Sequence, residues 1–291
     1  MKLGGRMKQE LKQIVQPIVK WYQEQEKTLP WKQDKEPYHI WISEIMLQQT
    51  RIEAVKKYYT RFMKELPTIQ KLAIVPEEKL LKLWEGLGYY SRAKNLKKAA
   101  IQIEKEYGGK LPTNYAELLK LSGIGEYTAG AIASISYQEK VPAVDGNVLR
   151  VISRVLASKK DVLLAETKRE MTKKLLEIMP EEAGDFNEGL MELGEKICIP
   201  NSTPLCEKCP IREYCIAYKE NLTKEIPVRI KKQKRKIEKR TVFILKNKNE
   251  MAIKKRDKEG ILANLYEFPN VVRRNNRRGH PQNFRRMENT I

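Results

Sequence analysis

Histidine is scarce in this chain, and acidic residues are outnumbered by basic ones. Only His39 and His280 occur among the 291 residues, and neither stands in a His-x-x-x-His or His-x-Glu pattern, so we expect no hydrolysis at a histidine-bound metal. The 37 acidic residues face 57 basic ones, which gives a formal net charge of +20. An imbalance of this size favours a polyanionic partner, although a basic protein without such a partner is the alternative.

Long apolar segments are also missing. The chain has no run of 18 apolar residues, and its first residues, MKLGGRMKQELKQIV, contain no long apolar stretch. We therefore predict neither a transmembrane helix nor a signal peptide, and we expect a cytoplasmic protein that makes no membrane contact. With 41% hydrophobic residues the chain can still bury a sizeable core.

Cysteine is confined to one short segment. Cys198, Cys206, Cys209 and Cys215 are the only four, spaced as C-x7-C-x2-C-x5-C. In a cytosolic protein such clustering favours a metal site over two disulfides, because that compartment keeps thiols reduced. Zinc accepts four thiolates, so the spacing alone leaves the metal open.

The chain changes character near residue 222. Residues 8–222 are predicted to be mostly helical, because apolar residues recur three and four positions apart, as Trp41 with Ile45 and Ile52 with Val55 illustrate. Residues 223–240 form a basic linker, with nine basic and two acidic residues from position 224 onward. This linker is predicted to contact phosphates, or else to be a solvated connector. TVFILKN and EMAIKKR after it indicate two strands of a hairpin.

The segment LSGIGEYTAGAI predicts a helical hairpin. Gly123 and Gly125 allow a tight turn, and a helix starts again near Glu126. Unpaired N–H groups in the first turn of such a helix bind phosphate, although an ordinary helix corner fits the same glycines. Downstream, AVDGNVLRVISRV places Asp145 directly before another helix, where it is either a helix cap or a carboxylate at the edge of a cleft.

These two segments, together with WISEIMLQQTRIEAV and LWEGLGYYSRAKNL, resemble the helix-hairpin-helix, Gly-Pro-Asp superfamily of DNA glycosylases. The match is narrower with its adenine DNA glycosylase branch and runs from about Leu29 to Pro269. The resemblance implies a mainly α, two-lobed helical domain over residues 1–222, with the hairpin at about 118–137 and double-stranded DNA across the cleft. It further implies a monomer that removes adenine mispaired with 8-oxoguanine or guanine.

The resemblance also implies the catalytic residues. Glu44 matches the acid that protonates adenine and later activates water, and Asp145 matches the carboxylate that stabilises the sugar cation. The apolar neighbours of Glu44 raise its pKa if it is buried, although a helical glutamate on an amphipathic face is usually exposed. Tyr127 stands where strand-cutting relatives have a lysine, so we expect a monofunctional enzyme, and Asn147 is the polar neighbour expected to orient water.

Base and DNA contacts are implied in the same way. Trp31, Leu47 and Glu188 match the adenine pocket, although Trp31 and Leu47 are equally expected in a plain core. Gln49 and Tyr89 match residues that wedge into the duplex, and Gly123 and Gly125 match the phosphate-binding hairpin. The chain departs from the family at Ser122, usually proline, and at Lys32, usually arginine, whose planar fork lysine lacks.

The cysteine segment, residues 198–215, resembles the 4Fe–4S loop of this superfamily. The first gap is seven residues, where the family has six. The resemblance favours a 4Fe–4S cluster over zinc and places Lys208 and Arg212 near DNA phosphates.

Residues 241–270 resemble the opening of the Nudix-like α/β domain that reads 8-oxoguanine in this family. The last 21 residues, 271–291, contain six arginines and no lysine. This shift in composition indicates a reading-frame change or a foreign end, and a natural basic tail is the alternative. We expect residues 241–291 to be poorly ordered. We therefore expect the protein to prefer adenine opposite 8-oxoguanine over adenine opposite guanine less strongly than a full-length relative does. The alternatives to the expected activity are release of another mismatched base, such as thymine opposite guanine, and an inactive DNA-binding protein.

Overall fold

The computed structural model describes residues 11–230 and 237–272, which divide at Ile230 into a helical unit and a smaller β unit. The mainly helical fold is confirmed. The helices are α1 (Val15–Gln23), α2 (Pro37–Leu47), α3 (Ile52–Glu65), α4 (Ile69–Ile74), α5 (Glu77–Trp84), α6 (Ser91–Tyr107), α7 (Tyr115–Leu118), α8 (Glu126–Tyr137), α9 (Gly146–Val155), α10 (Ala165–Leu176), α11 (Ala183–Lys196) and α12 (Ile216–Lys219). Short 3-10 helices lie at Pro30–Lys32, Cys206–Lys208 and Arg212–Tyr214. Among the described residues no helix is long and apolar enough to cross a membrane.

The helical unit contains two hydrophobic cores, in agreement with the two lobes predicted. The first core draws on residues 31–143 and buries Trp41, Phe62 and Trp84 completely. The second core joins residues 11–19 to residues 144–211, so the N-terminal helix packs in the lobe that carries the cysteines. Because the chain passes from one core to the other just before Asp145, that residue lies at the junction of the lobes.

Helix α2 is the most deeply buried helix of the first lobe. Pro37 occupies its first position, where the missing N–H costs no hydrogen bond. Eight of its eleven residues are buried, all except Pro37, His39 and Leu47. A helix that is apolar on all sides is stable only when it is surrounded, and α2 packs against both α3 and α8. Helix α8 in turn packs against α11, so the three helices α2, α8 and α11 lie side by side.

The hairpin between α7 and α8 has one strained glycine rather than two. Gly123 has a φ of +77°, and a Cβ there would lie 2.6 Å from Cβ of Asn95. Gly125 has a φ of −97° in extended backbone and caps α8 without a side-chain hydrogen bond. The tight turn expected from both glycines therefore depends on Gly123, because the backbone of Gly125 suits any residue.

The helical unit continues past the predicted boundary at residue 222. Ile226 is only 1% exposed, and its carbonyl accepts from Arg154 Nε at 2.8 Å. The N–H of Val162 donates to the carbonyl of Val228 at 3.1 Å. Residues 223–230 are thus part of the second lobe, and residues 231–236 of the predicted linker lie outside the described residues.

The β unit consists of three antiparallel strand pairs. Its strands are β1 (Arg240–Val242), β2 (Lys246–Asn247), β3 (Glu250–Met251), β4 (Lys254–Lys255), β5 (Tyr266–Glu267) and β6 (Asn270–Val272). The predicted hairpin is present as β2 paired with β3, while β1 pairs with β6 and β4 with β5. Not one of residues 237–272 is buried, so the pairs lack a covering layer. Of the predicted tail, residues 271–291, Val271 and Val272 belong to β6, and the part from 273 onward lies outside the described residues.

Candidate active site

Glu44 is buried in the middle of α2. The side chain belongs to a residue that is 8% exposed, and its Oε2 has no hydrogen-bond partner among the described residues. The pKa of Glu44 is raised to about 7, and burial is the main cause. The carboxylates of Glu188 and Asp145 add to the rise, while Tyr127 and Lys32 oppose it. A carboxyl group with this pKa is partly protonated at neutral pH and can donate a proton to a ligand. The exposed alternative for Glu44 is thereby ruled out.

Asp145 caps the N-terminus of α9. Its Oδ1 accepts from the N–H of Val148 at 2.7 Å, and its Oδ2 accepts from Asn147 Nδ2 at 2.8 Å. Burial raises the pKa of Asp145, and these two hydrogen bonds limit the rise. Asp145 can therefore be both a helix cap and a carboxylate at the edge of a cleft, because the bonds that cap the helix also hold the carboxylate in one orientation.

Tyr127 lies in the first turn of α8 beside both carboxyl groups. Its hydroxyl donates to Sδ of Met191 on α11 at 3.1 Å. Burial, together with Glu44 and Asp145, raises the pKa of Tyr127 well above its ordinary value. The phenol therefore stays protonated, and it supplies a hydrogen-bond donor but no nucleophilic amine.

Arg150 connects Asp145, through Asn147, to the cysteine segment. Its Nη2 donates to Asn147 Oδ1 at 2.9 Å and to the carbonyl of Gly194 at 2.6 Å. Its Nε donates to the carbonyl of Cys198 at 2.7 Å. Asn147 is thus fixed on both sides, by Arg150 and by Asp145, and is oriented within the site rather than free to turn.

The predicted pocket residues lie in two different environments. Trp31 is 3% exposed and packs edge-on against Tyr59 with ring centroids 5.3 Å apart, while Leu47 is half-buried against the same core. Glu188 on α11 is 9% exposed and lies 3.6 Å from Nζ of Lys32. The structure thus brings Glu188 toward Glu44, and it places Trp31 in the first core.

Lys32 contacts two carboxylates and one aromatic ring, although its ammonium group lacks the planar fork of arginine. Its Nζ lies 2.7 Å from Oε2 of Glu192 as well as 3.6 Å from Glu188, and 5.0 Å from the centre of the Tyr22 ring. Sequence reasoning missed Glu192, which the spacing of four from Glu188 on one helix could have revealed.

Gln49 and Tyr89 are both exposed and both strained. Gln49 has a φ of 59° and Tyr89 a φ of 48°, in the left-handed region that side chains other than glycine seldom adopt. Tyr89 is 60% exposed although it is a large aromatic residue. Exposed side chains held in costly backbone conformations indicate a binding role.

The remaining predicted DNA contacts are the hairpin and the basic residues of the cysteine segment. Gly125 opens the first turn of α8 without a side-chain cap, so the first N–H groups of that helix are open to an anion. Lys208 is exposed. Arg212 forms an ion pair with Glu207 and lies over the ring of Tyr218, 5.8 Å from its centre, so a phosphate contact there competes with these partners.

The four cysteines are free thiols that line one apolar cavity with Arg154 and Ile211. The structure thus contains no disulfide among them. Burial raises the pKa of Cys209 to about 12 and that of Cys215 to about 11, so the thiols are neutral unless a metal binds them. Arg154 Nη1 donates to Sγ of Cys198 at 3.2 Å, and its backbone carbonyl accepts from Sγ of Cys215 at 3.5 Å. Sequence reasoning missed Arg150 and Arg154, a basic pair four residues apart on an otherwise apolar helix.

Comparison with known proteins gives concordant results. A family model described as HhH-GPD superfamily base excision DNA repair protein matches residues 42–181. The adenine DNA glycosylase of Buchnera aphidicola subsp. Schizaphis graminum is 40% identical over 262 residues, which are 88% of this chain and 74% of that protein. The Homo sapiens adenine DNA glycosylase is 41% identical over 213 residues, which are 69% of this chain and 38% of that protein.

Solved structures have the same fold. A thermostable thymine-DNA glycosylase superimposes with a TM-score of 0.65 at 29% identity, over 73% of this chain and 98% of that one. An endonuclease III in a non-covalent DNA complex superimposes with a TM-score of 0.62 at 25% identity, over 74% of this chain and 98% of that one.

Proposed function

The chain belongs to the adenine DNA glycosylase family of HhH-GPD base excision repair proteins, and from that premise we propose that it acts on adenine mispaired with 8-oxoguanine or guanine in double-stranded DNA. It is a base excision repair enzyme that removes adenine, and a hydrolase acting on N-glycosyl bonds. The observation that carries the mechanism is the buried pairing of Glu44 with Asp145 across the junction of the two lobes. One carboxyl group is available as an acid and the other as an anion.

Glu44 acts first, as the acid. With its pKa raised to about 7 by burial, it holds a proton at neutral pH and transfers it to N7 of adenine, which makes the base a better leaving group. The resulting carboxylate then accepts a proton from the attacking water. Its unpartnered Oε2 is the atom free to make these contacts.

Asp145 stabilises the positive sugar that forms as the base departs. The hydrogen bonds from Val148 and Asn147 fix its carboxylate before the reaction, so no reorganisation is needed when charge develops. Asn147, held by Arg150, is placed to orient the water. Tyr127 supplies a hydrogen-bond donor and no amine, so the enzyme releases the base without cutting the strand.

DNA is held through its backbone and opened by the exposed wedge residues. The first N–H groups of α8 bind a phosphate near the target nucleotide, and the net charge of +20 attracts the duplex. Gln49 and Tyr89 enter the stack, and the extruded adenine lies against Leu47 and Glu188. Trp31 supports this pocket from within the core. The enzyme acts as a monomer.

The cysteine segment fits a 4Fe–4S cluster. Four thiols line a single apolar cavity, and four cysteine thiolates are the ligand set that holds such a cluster. A cluster would be held by Cys198, Cys206, Cys209 and Cys215, and when bound it would cross-link the loop that carries Lys208.

Anaerobically purified protein should contain close to four irons per chain, and stoichiometric zinc without iron would overturn this assignment.

The function is tested by base release from a panel of mismatches. The protein is incubated with duplexes containing adenine opposite 8-oxoguanine, adenine opposite guanine, or thymine opposite guanine, and alkali then reveals strand breaks. Breaks at adenine in the first two duplexes are expected. Breaks only at thymine would favour the second candidate, which the likeness to the thymine-DNA glycosylase supports.

Glu44→Gln should bind DNA and release no base, and substantial release would remove Glu44 from the acid role.

A further inference from the structure

Arg92, in the first turn of α6, is a buried cation without a carboxylate partner among the described residues. The residue is 9% exposed. Six oxygen atoms accept its hydrogen bonds instead. Nη1 donates to the carbonyls of Ile45 at 2.7 Å, Met46 at 2.9 Å and Gln48 at 2.8 Å, and Nη2 donates to Thr50 Oγ1 at 3.3 Å and to the carbonyls of Leu87 at 3.2 Å and Gly88 at 3.3 Å.

These acceptors come from two separate segments. Four belong to the end of α2 and the turn after it, where the last carbonyls of a helix have no partner within the helix. The other two belong to the loop between α5 and α6. One planar guanidinium therefore joins the C-terminus of the helix that carries Glu44 to a loop about 40 residues away in sequence.

Each segment contains one strained, exposed residue next to the atoms that Arg92 binds. Gln49, with a φ of 59°, lies between Gln48 and Thr50, and Tyr89, with a φ of 48°, follows Gly88. Cζ of Arg92 also lies 5.7 Å from the centre of the Tyr89 ring and 5.3 Å from that of Trp84. Such backbone conformations are unfavourable and persist only where the surroundings hold them.

We propose that Arg92 is a positioning residue that holds the Gln49 and Tyr89 turns in one fixed relation, so that both side chains enter the duplex together. This inference rests on the proposed function, because it assigns Arg92 a part in extruding the base. If the two turns are already ordered in the free protein, less conformational entropy is lost when they enter the DNA. Lysine cannot replace it, because an ammonium group has three donors at one point, whereas the guanidinium holds five in a plane.

The test compares Arg92→Lys with the wild type on paired and unpaired adenine. Single-turnover release is measured from adenine opposite 8-oxoguanine and from adenine opposite a stable abasic analogue, where no base pair has to be opened. We expect release from the paired duplex to fall by about tenfold or more and release from the unpaired one by less than about threefold, because extrusion costs least for an unpaired base. Arg61→Lys is the matched control, since Arg61 Nη2 also donates to a carbonyl, that of Leu83 at 2.7 Å, but at an exposed position. It should leave both rates unchanged.

Two further measurements separate positioning from general support of the fold. In the Arg92→Lys background, Tyr89→Ala and Gln49→Ala should each cost less than they do in the wild type, because the wedge is already misplaced. Thr50→Val removes one acceptor of Arg92 and leaves the guanidinium, so a smaller loss confined to the paired duplex is expected. Should Arg92→Lys fail to fold, Thr50→Val carries the test.

Equal losses on both duplexes in folded Arg92→Lys or Thr50→Val, or fully additive losses with the wedge variants, would overturn the role of Arg92. Failure of the wild type to release adenine from either duplex would instead overturn the proposed function, so the two failures are distinguishable.

Discussion

Among single side chains, the buried carboxyl group of Glu44 lowers the stability of the fold at neutral and higher pH. Its folded pKa of about 7 lies above the unfolded value of 4.5, so the folded state binds the proton more tightly. The free energy of unfolding therefore falls as pH rises from about 4.5 to about 7, by at most about 3 kcal/mol. Glu44→Gln removes this loss. We expect the variant to be more stable than the wild type at pH 8 and similar to it near pH 4.5, measured by urea unfolding at both values.

Glu26→Gln, at an exposed position outside the helices, is the control, and it shows what the same substitution does away from the site at both pH values. A stability difference for Glu44→Gln that is the same at pH 4.5 and pH 8 would show that the carboxyl group titrates normally.

Tyr127 separates base release from strand cutting. Tyr127→Lys places an amine beside Glu44 and Asp145, where it can attack the sugar, so borohydride should trap a covalent protein–DNA product. The wild type and Tyr127→Phe, which has no amine, should give little trapped product. Strong trapping in the wild type that survives replacement of nearby lysines would contradict a monofunctional enzyme.

Sequence reasoning found the residues whose neighbours along the chain reveal them. The apolar neighbours of Glu44 indicated a raised pKa, and the position of Asp145 before a helix indicated a cap, which the structure has. Arg92, Arg150 and Arg154 were missed because they bind backbone carbonyls that lie more than 40 residues away, and a carbonyl carries no side-chain signal. Trp31 could not be assigned to core or pocket, because an aromatic residue suits both.

Among the structural elements, the hairpin turn has an internal control in its two glycines. Gly123→Ala forces a side chain into a φ of +77° and against Asn95, so the free energy of unfolding should fall by about 1 kcal/mol or more. Gly125→Ala meets nothing within 4 Å at a φ of −97°, so stability should stay nearly unchanged. Urea unfolding of both variants checks the pair, and equal destabilisation would contradict the assignment of strain to Gly123 alone.

DNA binding by Gly125→Ala adds a second readout. A methyl group at the entrance to α8 lies where a phosphate would approach the free N–H groups, so affinity should fall while stability does not. Unchanged affinity would argue against a phosphate at this helix end.

Periodicity predicted the helices better than the strands. The two glycines marked the hairpin because a turn of that kind is local in sequence. The β1–β6 pair joins residues about 30 apart, and no local pattern encodes such pairing, so only β2 and β3 of the predicted hairpin could be foreseen. Helix α2 shows the four-residue spacing of Trp41 and Ile45, but it is buried on most of its surface, so its apolar residues are not confined to one face.

At the scale of the whole molecule, the end of the helical unit at Ile230 decides which truncated protein folds. A protein ending at Ile230 keeps buried Ile226 and the bonds from Arg154 and Val162, so its thermal midpoint and adenine release should match those of the full chain. A protein ending at Leu222 loses Ile226 and leaves Arg154 Nε without its acceptor. Its midpoint should fall by several degrees, in line with a loss of about 2–3 kcal/mol. Equal midpoints for the two truncations would show that residues 223–230 add nothing to the fold.

The two carboxylates proposed to act in catalysis should have opposite fates if selection for activity ceased. Asp145 caps α9, the helix whose arginines hold the cysteine segment, so losing it weakens the fold and purifying selection would retain it or another capping residue such as asparagine or serine. Glu44 is a buried acid with an unpartnered oxygen, so almost any neutral replacement relieves a cost. An inactive descendant of this enzyme would therefore lose Glu44 early and keep Asp145 long, and the glutamate is the better marker of a working glycosylase.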